Sequence, residues 1–179
     1  MFKLKISNLK EALQLSQNWA THTISLLDPD IENDILREIP VAGKGGKLQR
    51  YYFYDLYPKD KDLSLLIFLR GESVMATSEQ LQELLALTAP LKSTDKLLVH
   101  CHAGVSRSTA VACAVLCQHG LTPSQAVKYV VSIRPQAHPN KYVLTLFDDI
   151  LGLKGELVVA GTEEIVIFKK KHFTSLFRR

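Results

Sequence analysis

The segment His100–Ser108 (HCHAGVSRS) constrains the fold more than any other part of the chain. It follows a short apolar strand, Lys96–His100, and leads into a helix that runs from about Arg107 to His119 and is closed by Gly120. A strand followed closely by a helix is the unit from which α/β sheets are built. The segment therefore predicts a loop with several reactive side chains between a strand and a helix of such a sheet.

The rest of the chain alternates strand-like and helix-like segments, as an α/β fold requires. Further strands are predicted at residues 2–6, 23–27 and 50–54, while residues 63–69 fit either a strand or a helix. Capping residues and prolines predict helices that begin near residues 8, 77, 122 and 139. Residues 157–160 and 165–168 are expected to pair as a hairpin around Gly161-Thr162. We predict one α/β domain over residues 1–168, with a central, largely parallel sheet flanked by helices.

The net charge of +4 comes from one end of the chain. The 179 residues include 22 Lys and Arg against 18 Asp and Glu, and residues 169–179 hold five of the basic side chains and no acidic one. The rest of the chain is therefore near neutral, which argues against a nucleic-acid-binding domain, whose basic residues would spread over one face. We interpret residues 169–179 as a basic tail, either solvated or docked on an acidic partner or a lipid surface.

Composition excludes several other classes of protein. Hydrophobic residues make up 46% and charged residues 22% of the chain, which is typical of a soluble globular protein and not of a disordered one. No apolar run reaches the roughly 20 residues of a membrane helix, and the first ten residues do not read as a secretory signal. Three cysteines do not make a disulfide framework. We expect a cytoplasmic protein in which one cysteine can be reactive.

The loop that begins at Cys101 has the parts of an anion-binding site. A loop curled at a helix N-terminus points several backbone N–H groups inward, where the helix dipole adds to their attraction for an anion. Gly104 allows the backbone to turn tightly and to approach the anion. Arg107 supplies a planar guanidinium that can bind two phosphate oxygens at once.

The same groups that hold an anion also stabilise a thiolate. Thiols at helix N-termini and beside cations ionise readily, so Cys101 is predicted to be the nucleophile. The hydroxyls of Ser108 and Thr109 can reach the sulfur and favour its departure when a covalent intermediate breaks down. We expect the ring nitrogens of His100 to tether the loop.

The run from His100 to Ser108 resembles the signature of the cysteine-based protein phosphatases, His-Cys, five residues, Arg and then Ser or Thr. It is most similar to the dual-specificity branch, which favours the pattern found at Ala103–Ser108, and the chain also resembles a group of small bacterial phosphatases. The likeness extends over residues 20–152, because Arg134 and Pro139-Asn140 match the downstream pattern of that branch. No segment resembles the phosphotyrosine-recognition loop of the larger tyrosine-specific domains.

This resemblance implies a protein tyrosine or dual-specificity phosphatase that acts through a cysteinyl-phosphate intermediate and needs no metal or other cofactor. In that family the Cys is the nucleophile, the Arg binds phosphate, and the following Ser assists, which here are Cys101, Arg107 and Ser108. The substrate phosphate is held by the loop itself, namely His102, Ala103, Gly104, Val105, Ser106 and Arg107. The implied partner is a phosphorylated protein or a small phosphomonoester.

The family also uses an Asp on a separate loop as the general acid that protonates the leaving group. Ligands of open α/β sheets bind at the carboxyl ends of the strands, and Asp55 directly follows a predicted strand, as Cys101 does. Asp55 also matches the acid-bearing loop of the family best. Asp60 and Asp62 lie farther along the same loop and remain alternatives, and Asp28 reads as a turn residue before Pro29.

Other residues with chemical potential receive structural interpretations. Cys113 and Cys117 lie four apart on an apolar helix and favour core packing, the alternative being a resolving thiol for oxidised Cys101. The neighbours His100, Cys101 and His102 cannot converge on one tetrahedral metal ion, so we predict no metal site. Arg134 is expected in a structural ion pair, the alternative being contact with substrate, and Asn140 is expected to cap or orient backbone near the loop.

The sequence leaves the substrate and two rival functions open. Only His102 is basic among the five positions between Cys101 and Arg107, which disfavours highly phosphorylated lipids, whose phosphatases in this family often carry Lys there. A thiolate sulfurtransferase or an arsenate-reductase-like enzyme uses a similar loop. A non-catalytic phosphate-binding module typically lacks the Cys, the Arg or the acid, whereas this chain has candidates for all three.

Overall fold

The computed structural model describes residues 1–31, 38–57 and 75–176, with side chains placed as far as residue 170. Four strands form one sheet in the order β1-β4-β2-β3, and every pairing in it is parallel. The strands are β1 (Lys3–Ser7), β2 (His22–Leu27), β3 (Lys47–Tyr52) and β4 (Lys96–His100). The parallel α/β sheet predicted from the sequence is confirmed.

Six helices flank the sheet within the described residues. They are α1 (Leu9–Asn18), α2 (Ser78–Thr88), α3 (Arg107–Gln118), α4 (Pro123–Ile133), α5 (Lys141–Leu151) and α6 (Glu156–Leu176). The expected capping residues begin them, since the side chains of Asn8, Thr77 and Thr122 each accept the backbone N–H three residues on. Asn140, and not Pro139, caps α5. The predicted acids Asp60 and Asp62 and the segment 63–69 lie outside the described residues.

Helix α3 is the centre of the main core. Residues 107–116 of this helix are all buried, as expected of a helix that is surrounded by other elements. The helix contacts β4 and β1 on one side and α4 and α5 on the other. Successive strand residues face opposite sides of the sheet, so Leu26 packs in this core whereas Leu27 packs with Leu9 in a smaller second cluster.

Residues 157–160 and 165–168 do not form the predicted hairpin. They belong to α6, a helix that runs without a break from Glu156 to Leu176 and packs on α4 and α5. The helix places the buried Leu157, Ala160 and Ile165 against the core and leaves Val159, Val166 and Ile167 exposed. The residues we interpreted as a separate basic tail therefore continue this helix as far as Leu176. None of the six helices is long and apolar enough to cross a membrane.

Candidate active site

The loop from Cys101 to Ser106 connects β4 to α3 at the carboxyl end of the sheet. Cys101 is buried, and its Sγ accepts the backbone N–H of Gly104 at 3.3 Å. The hydroxyl of Ser108, in the first turn of α3, lies 3.2 Å from the same sulfur. A backbone N–H and a hydroxyl thus lie within hydrogen-bonding distance of Sγ.

Gly104 is required by the close packing of the loop on its neighbours. Its φ is +67°, in the region that residues with a side chain rarely adopt. A Cβ at this position would lie 2.6 Å from the carbonyl oxygen of Ser7 and 2.7 Å from Nη2 of Arg134. Any other residue would therefore push the loop away from β1 and from Arg134.

Arg134 fastens the loop from outside. Its guanidinium donates to the carbonyl oxygens of Gly104 at 3.0 Å and Ala103 at 3.3 Å, and it pairs with Glu11 at 3.1 Å. In all three contacts the guanidinium N–H groups donate to groups of the protein itself. The geometry agrees with the structural ion pair that we expected for this residue.

Arg107 is held by groups at the ends of two neighbouring strands. Its Nη1 donates to the carbonyl oxygen of Phe53 at 2.5 Å and lies 2.8 Å from Oδ1 of Asp28. Its Nε is buried and has no hydrogen-bond partner in the described part of the chain. Two strand ends, those of β2 and β3, thus orient the guanidinium and leave Nε for another acceptor.

Asp28 contacts Arg107, although its sequence context before Pro29 predicts only a turn. It does take part in a turn, since its carbonyl oxygen accepts the N–H of Ile31. The additional contact with Arg107 depends on two residues that are 79 positions apart in sequence and meet only because β2 lies beside β4. The one available signal was that Asp28, like Cys101 and Asp55, directly follows a strand.

Asp55 lies at the mouth of the loop. Its Oδ1 accepts hydrogen bonds from the hydroxyl of Ser106 and from Nδ2 of Asn140, both at 2.7 Å. Its other carboxylate oxygen makes no hydrogen bond within the residues that the structure describes. This placement brings the preferred acid candidate to the loop, whereas its role as an acid stays a prediction.

Asn140 links the acid to the body of the protein. This fully buried side chain donates to Asp55 and to the carbonyl oxygen of Leu56, while its Oδ1 accepts the N–H of Val143 as the cap of α5. Its own N–H reaches the carbonyl oxygen of Ser106. One amide therefore joins the acid candidate, the anion loop and a helix end, as an orienting residue would.

Two expected contacts near the sulfur are not seen. The hydroxyl of Thr109 donates to the carbonyl oxygens of Val105 and Ser106, because helical geometry directs it back along its own helix and away from Sγ. Neither ring nitrogen of His100 meets the distance and angle limits of a hydrogen bond within the described residues, although the Cys101 backbone lies close enough to raise the pKa of the imidazole, so the tether stays a prediction. Burial lowers the pKa of His100 to about 4, and the guanidiniums of Arg107 and Arg50 act in the same direction.

The other loop residues have unequal access to a bound anion. His102 and Ala103 are exposed, while Val105 and Ser106 are half-buried. The hydroxyl of Ser106 is engaged by Asp55, so its contribution to phosphate would come through its backbone N–H. The set of substrate-binding residues predicted from the signature is thus in one loop, and its contacts with substrate stay a prediction.

Cys113 and Cys117 belong to the packed interior. Burial raises the pKa of the Cys113 thiol far above its usual value, and burial together with the charge of Asp148 raises that of Cys117 to about 11. Both thiols are therefore protonated at neutral pH, which favours core packing over a resolving role. No group of three or more His, Cys, Asp or Glu side chains suited to a metal ion occurs in the described ranges.

Comparison with known proteins agrees with this geometry. The family model of the dual specificity phosphatase catalytic domain matches residues 47–148, which is more than half of the chain. A stretch of 55 residues is 42% identical to Dual specificity protein phosphatase 1 of Arabidopsis thaliana, covering 30% of this chain and 28% of that protein. The match therefore spans little more than a quarter of the curated relative.

Solved structures show the same fold. The crystal structure of human DUSP28 is 24% identical, covers 84% of this chain and 94% of its own, and superposes with a TM-score of 0.52. PTPMT1 in complex with PI(5)P is 17% identical, with 84% and 91% coverage and a TM-score of 0.55. The strand–loop–helix site and the residues around it agree with the family match. Because that match covers more than half of the chain, the chain belongs to the dual specificity phosphatase catalytic domain family.

Proposed function

We propose that this protein is a cysteine-dependent phosphatase that hydrolyses phosphomonoesters on protein side chains. The observation that carries the proposal is the pairing of two features in one loop. The Cys101 sulfur accepts the Gly104 N–H beside the Ser108 hydroxyl, and the buried Nε of Arg107 has no partner within the described residues. A candidate nucleophile and a cation able to bind an anion thus stand six residues apart, at the two ends of one loop.

The proposed reaction has two steps. The loop amides and Arg107 hold the phosphate while the Cys101 thiolate attacks phosphorus, the bond to the leaving oxygen breaks, and Asp55 gives that oxygen its proton. Water then attacks phosphorus, the phosphorus–sulfur bond breaks, and Asp55 takes the proton from the water. The Ser108 hydroxyl, 3.2 Å from Sγ, stabilises the departing thiolate.

We propose phosphotyrosine, phosphoserine and phosphothreonine residues of proteins as the substrate class. The loop offers His102 as its one basic side chain between Cys101 and Arg107, so it lacks the extra cations that a highly phosphorylated lipid headgroup would need. The relative PTPMT1, solved with PI(5)P, makes phosphoinositides the alternative to include. A panel of the three phosphopeptide types and phosphoinositides, assayed for released phosphate, separates the two classes.

The decisive experiment replaces the nucleophile. Cys101→Ser is expected to abolish turnover of p-nitrophenyl phosphate, because a hydroxyl at this position is not ionised at neutral pH. Cys117→Ser serves as the matched control, since that thiol is protonated and lies outside the loop. Full turnover by the Cys101→Ser protein would disprove the mechanism, and phosphopeptide binding without turnover by the unaltered protein would identify a binding module instead.

A further inference from the structure

A groove of about 340 Å³ opens between α5 and α6 beside the candidate active site. Its apolar floor includes Leu144, Val158, Ile165 and Val166. Two of these, Leu144 and Ile165, are buried, whereas Val166 is 47% exposed. The groove therefore offers apolar surface to a ligand without being closed by the protein's own side chains.

The groove begins where the active site ends. Pro139 and Lys141 line it and flank Asn140, whose Nδ2 lies 2.7 Å from Oδ1 of Asp55. Tyr57, which also lines it, follows Asp55 by two residues. A chain whose phosphorylated residue sits in the Cys101 loop can therefore pass the acid and continue into the groove.

The rim of the groove is positively charged. Lys141 and Lys169, one from each helix, line it with exposed side chains, and His138 lies at the end nearest the loop. None of the described residues that line the groove carries a carboxylate. The nearby Glu164 is directed elsewhere, since it accepts the Ser124 hydroxyl at 2.6 Å. The apolar floor and the basic rim of the groove match a peptide segment that carries both apolar and acidic side chains.

We propose that this groove binds the part of a phosphoprotein substrate next to the phosphorylated residue, and that it selects apolar followed by acidic side chains. The inference rests on the proposed phosphatase function and names the substrate feature that the site selects. A concave, floored groove fits an extended peptide, whereas a membrane surface would require a continuous exposed apolar face. Val159 and Ile167 of α6 are exposed but do not line the groove, so the exposed apolar residues do not all belong to it.

The test compares two phosphotyrosine peptides that differ only beside the phosphorylated residue, one with Leu and two Glu, the other with Ala and two Gln. The ratio of their kcat/KM values measures selection. Lys141→Glu and Lys169→Glu are each expected to lower the ratio about fivefold, because a paired exposed charge contributes up to about 1 kcal/mol. Lys92→Glu, an exposed lysine in the turn before β4, is the matched control and leaves the ratio unchanged.

The apolar floor is tested on the same helix. Val166→Ser is expected to lower the ratio about threefold through lost apolar burial. Val159→Ser is the matched control, because this valine is 53% exposed and lies outside the groove. Equal effects of the two valine variants would overturn the proposed apolar contact.

The outcomes separate the inference from the function on which it rests. If the unaltered protein hydrolyses p-nitrophenyl phosphate but treats both peptides alike, the groove proposal is wrong and the phosphatase function stands. If it hydrolyses neither p-nitrophenyl phosphate nor the peptides, both the phosphatase function and the groove proposal are wrong. If Lys141→Glu and Lys169→Glu abolish co-sedimentation with vesicles of phosphatidylserine and phosphatidylcholine while the peptide ratio is unchanged, the occupant is a membrane and the peptide proposal is overturned.

Discussion

Arg107 illustrates how one buried cation serves both folding and binding. A buried guanidinium without a partner is costly, and Asp28 and the Phe53 carbonyl supply partners for Nη1. Because both act on one nitrogen, they also determine where Nε points. The same contacts therefore stabilise the residue and fix the orientation of its guanidinium.

Asp28 is predicted to position Arg107 through an acceptor oxygen. Asp28→Ala removes that oxygen and is expected to lower kcat/KM for p-nitrophenyl phosphate roughly 10- to 100-fold, since a misplacement of about 1 Å has effects of that size. Asp28→Asn keeps the acceptor and is expected to stay within about threefold. Steady-state kinetics measure both, with thermal unfolding to check that each variant folds. An equal loss in the two variants would show that the charge, and not the position, matters.

Asp55 is predicted to be the acid through the carboxylate oxygen that makes no hydrogen bond within the described residues. Asp55→Asn is expected to slow phenyl phosphate about 10²- to 10⁴-fold, because its leaving group needs a proton, and to slow p-nitrophenyl phosphate far less. Rates measured for both substrates over pH 5–9 test this. An equal effect on both substrates would point to another acid, with Asp60 and Asp62 next in line.

The start of helix α6 is capped by a side chain of the preceding helix. The buried Asp148 of α5 accepts the N–H groups of Gly155, Leu157 and Val158 at 2.5, 2.7 and 3.3 Å. These are donors at the start of α6 that lack partners within the helix. The carboxylate also carries the charge that a helix N-terminus favours. The helix thus begins at a cap that belongs to the preceding helix.

Asp148→Ala is expected to lower the free energy of unfolding by about 2–3 kcal/mol, because it leaves buried donors unpaired. Asp148→Asn keeps one good acceptor and should have a smaller effect. Urea unfolding followed by circular dichroism measures the difference. The exposed neighbour Asp149→Ala is the control. Similar losses from Asp148→Ala and Asp149→Ala would contradict the capping role.

The capping contact explains why the hairpin prediction was wrong. Gly161-Thr162 is a local turn signal. The segments on either side of it are rich in β-branched residues, which favour strands. In the folded protein the segment pairs with none of the described strands and instead packs along α4 and α5. Tertiary packing therefore overrode strand propensity in α6. Elements whose ends carry their own caps, such as α1, α2 and α4, were predicted to begin at the right place.

At the scale of the whole molecule, a polar row crosses three neighbouring strands near the carboxyl end of the sheet. His100 of β4 pairs in register with Ser7 of β1 and Ser25 of β2. All three are fully buried, and neither the serine hydroxyls nor the imidazole has a hydrogen-bond partner within the described residues. Such a row makes the folded state sensitive to a proton on the imidazole.

His100 is predicted to make stability depend on pH. The pKa of His100 is about 4 in the folded protein against 6.5 in the unfolded chain, so the unfolded chain binds the proton first as pH falls. The neutral His100 therefore contributes fully to the free energy of unfolding above pH 6.5. This contribution is lost as pH falls toward 4, and the total loss is about 3 kcal/mol.

Unfolding free energies of the unaltered protein and of His100→Gln between pH 7 and 4.5 test this prediction. The variant should lose less stability over this interval, because it lacks the titrating group. His138→Gln, which removes an exposed imidazole, should behave like the unaltered protein. Identical pH curves for the unaltered protein and His100→Gln would rule the effect out.

The sequence by itself determined the α/β class, the strand–loop–helix unit around Cys101 and Arg107, and the family, which the family model confirms. These depend on residues within nine positions of one another and on local periodicity. Tertiary structure alone decided that Asp28 pairs with Arg107, that Asn140 holds Asp55, that Asp148 caps α6, and that a basic groove adjoins the acid. Each of these joins groups from separate elements. Such contacts depend on the order of the strands and the packing of the helices. Both are determined by the free energy of the whole fold and not by local sequence.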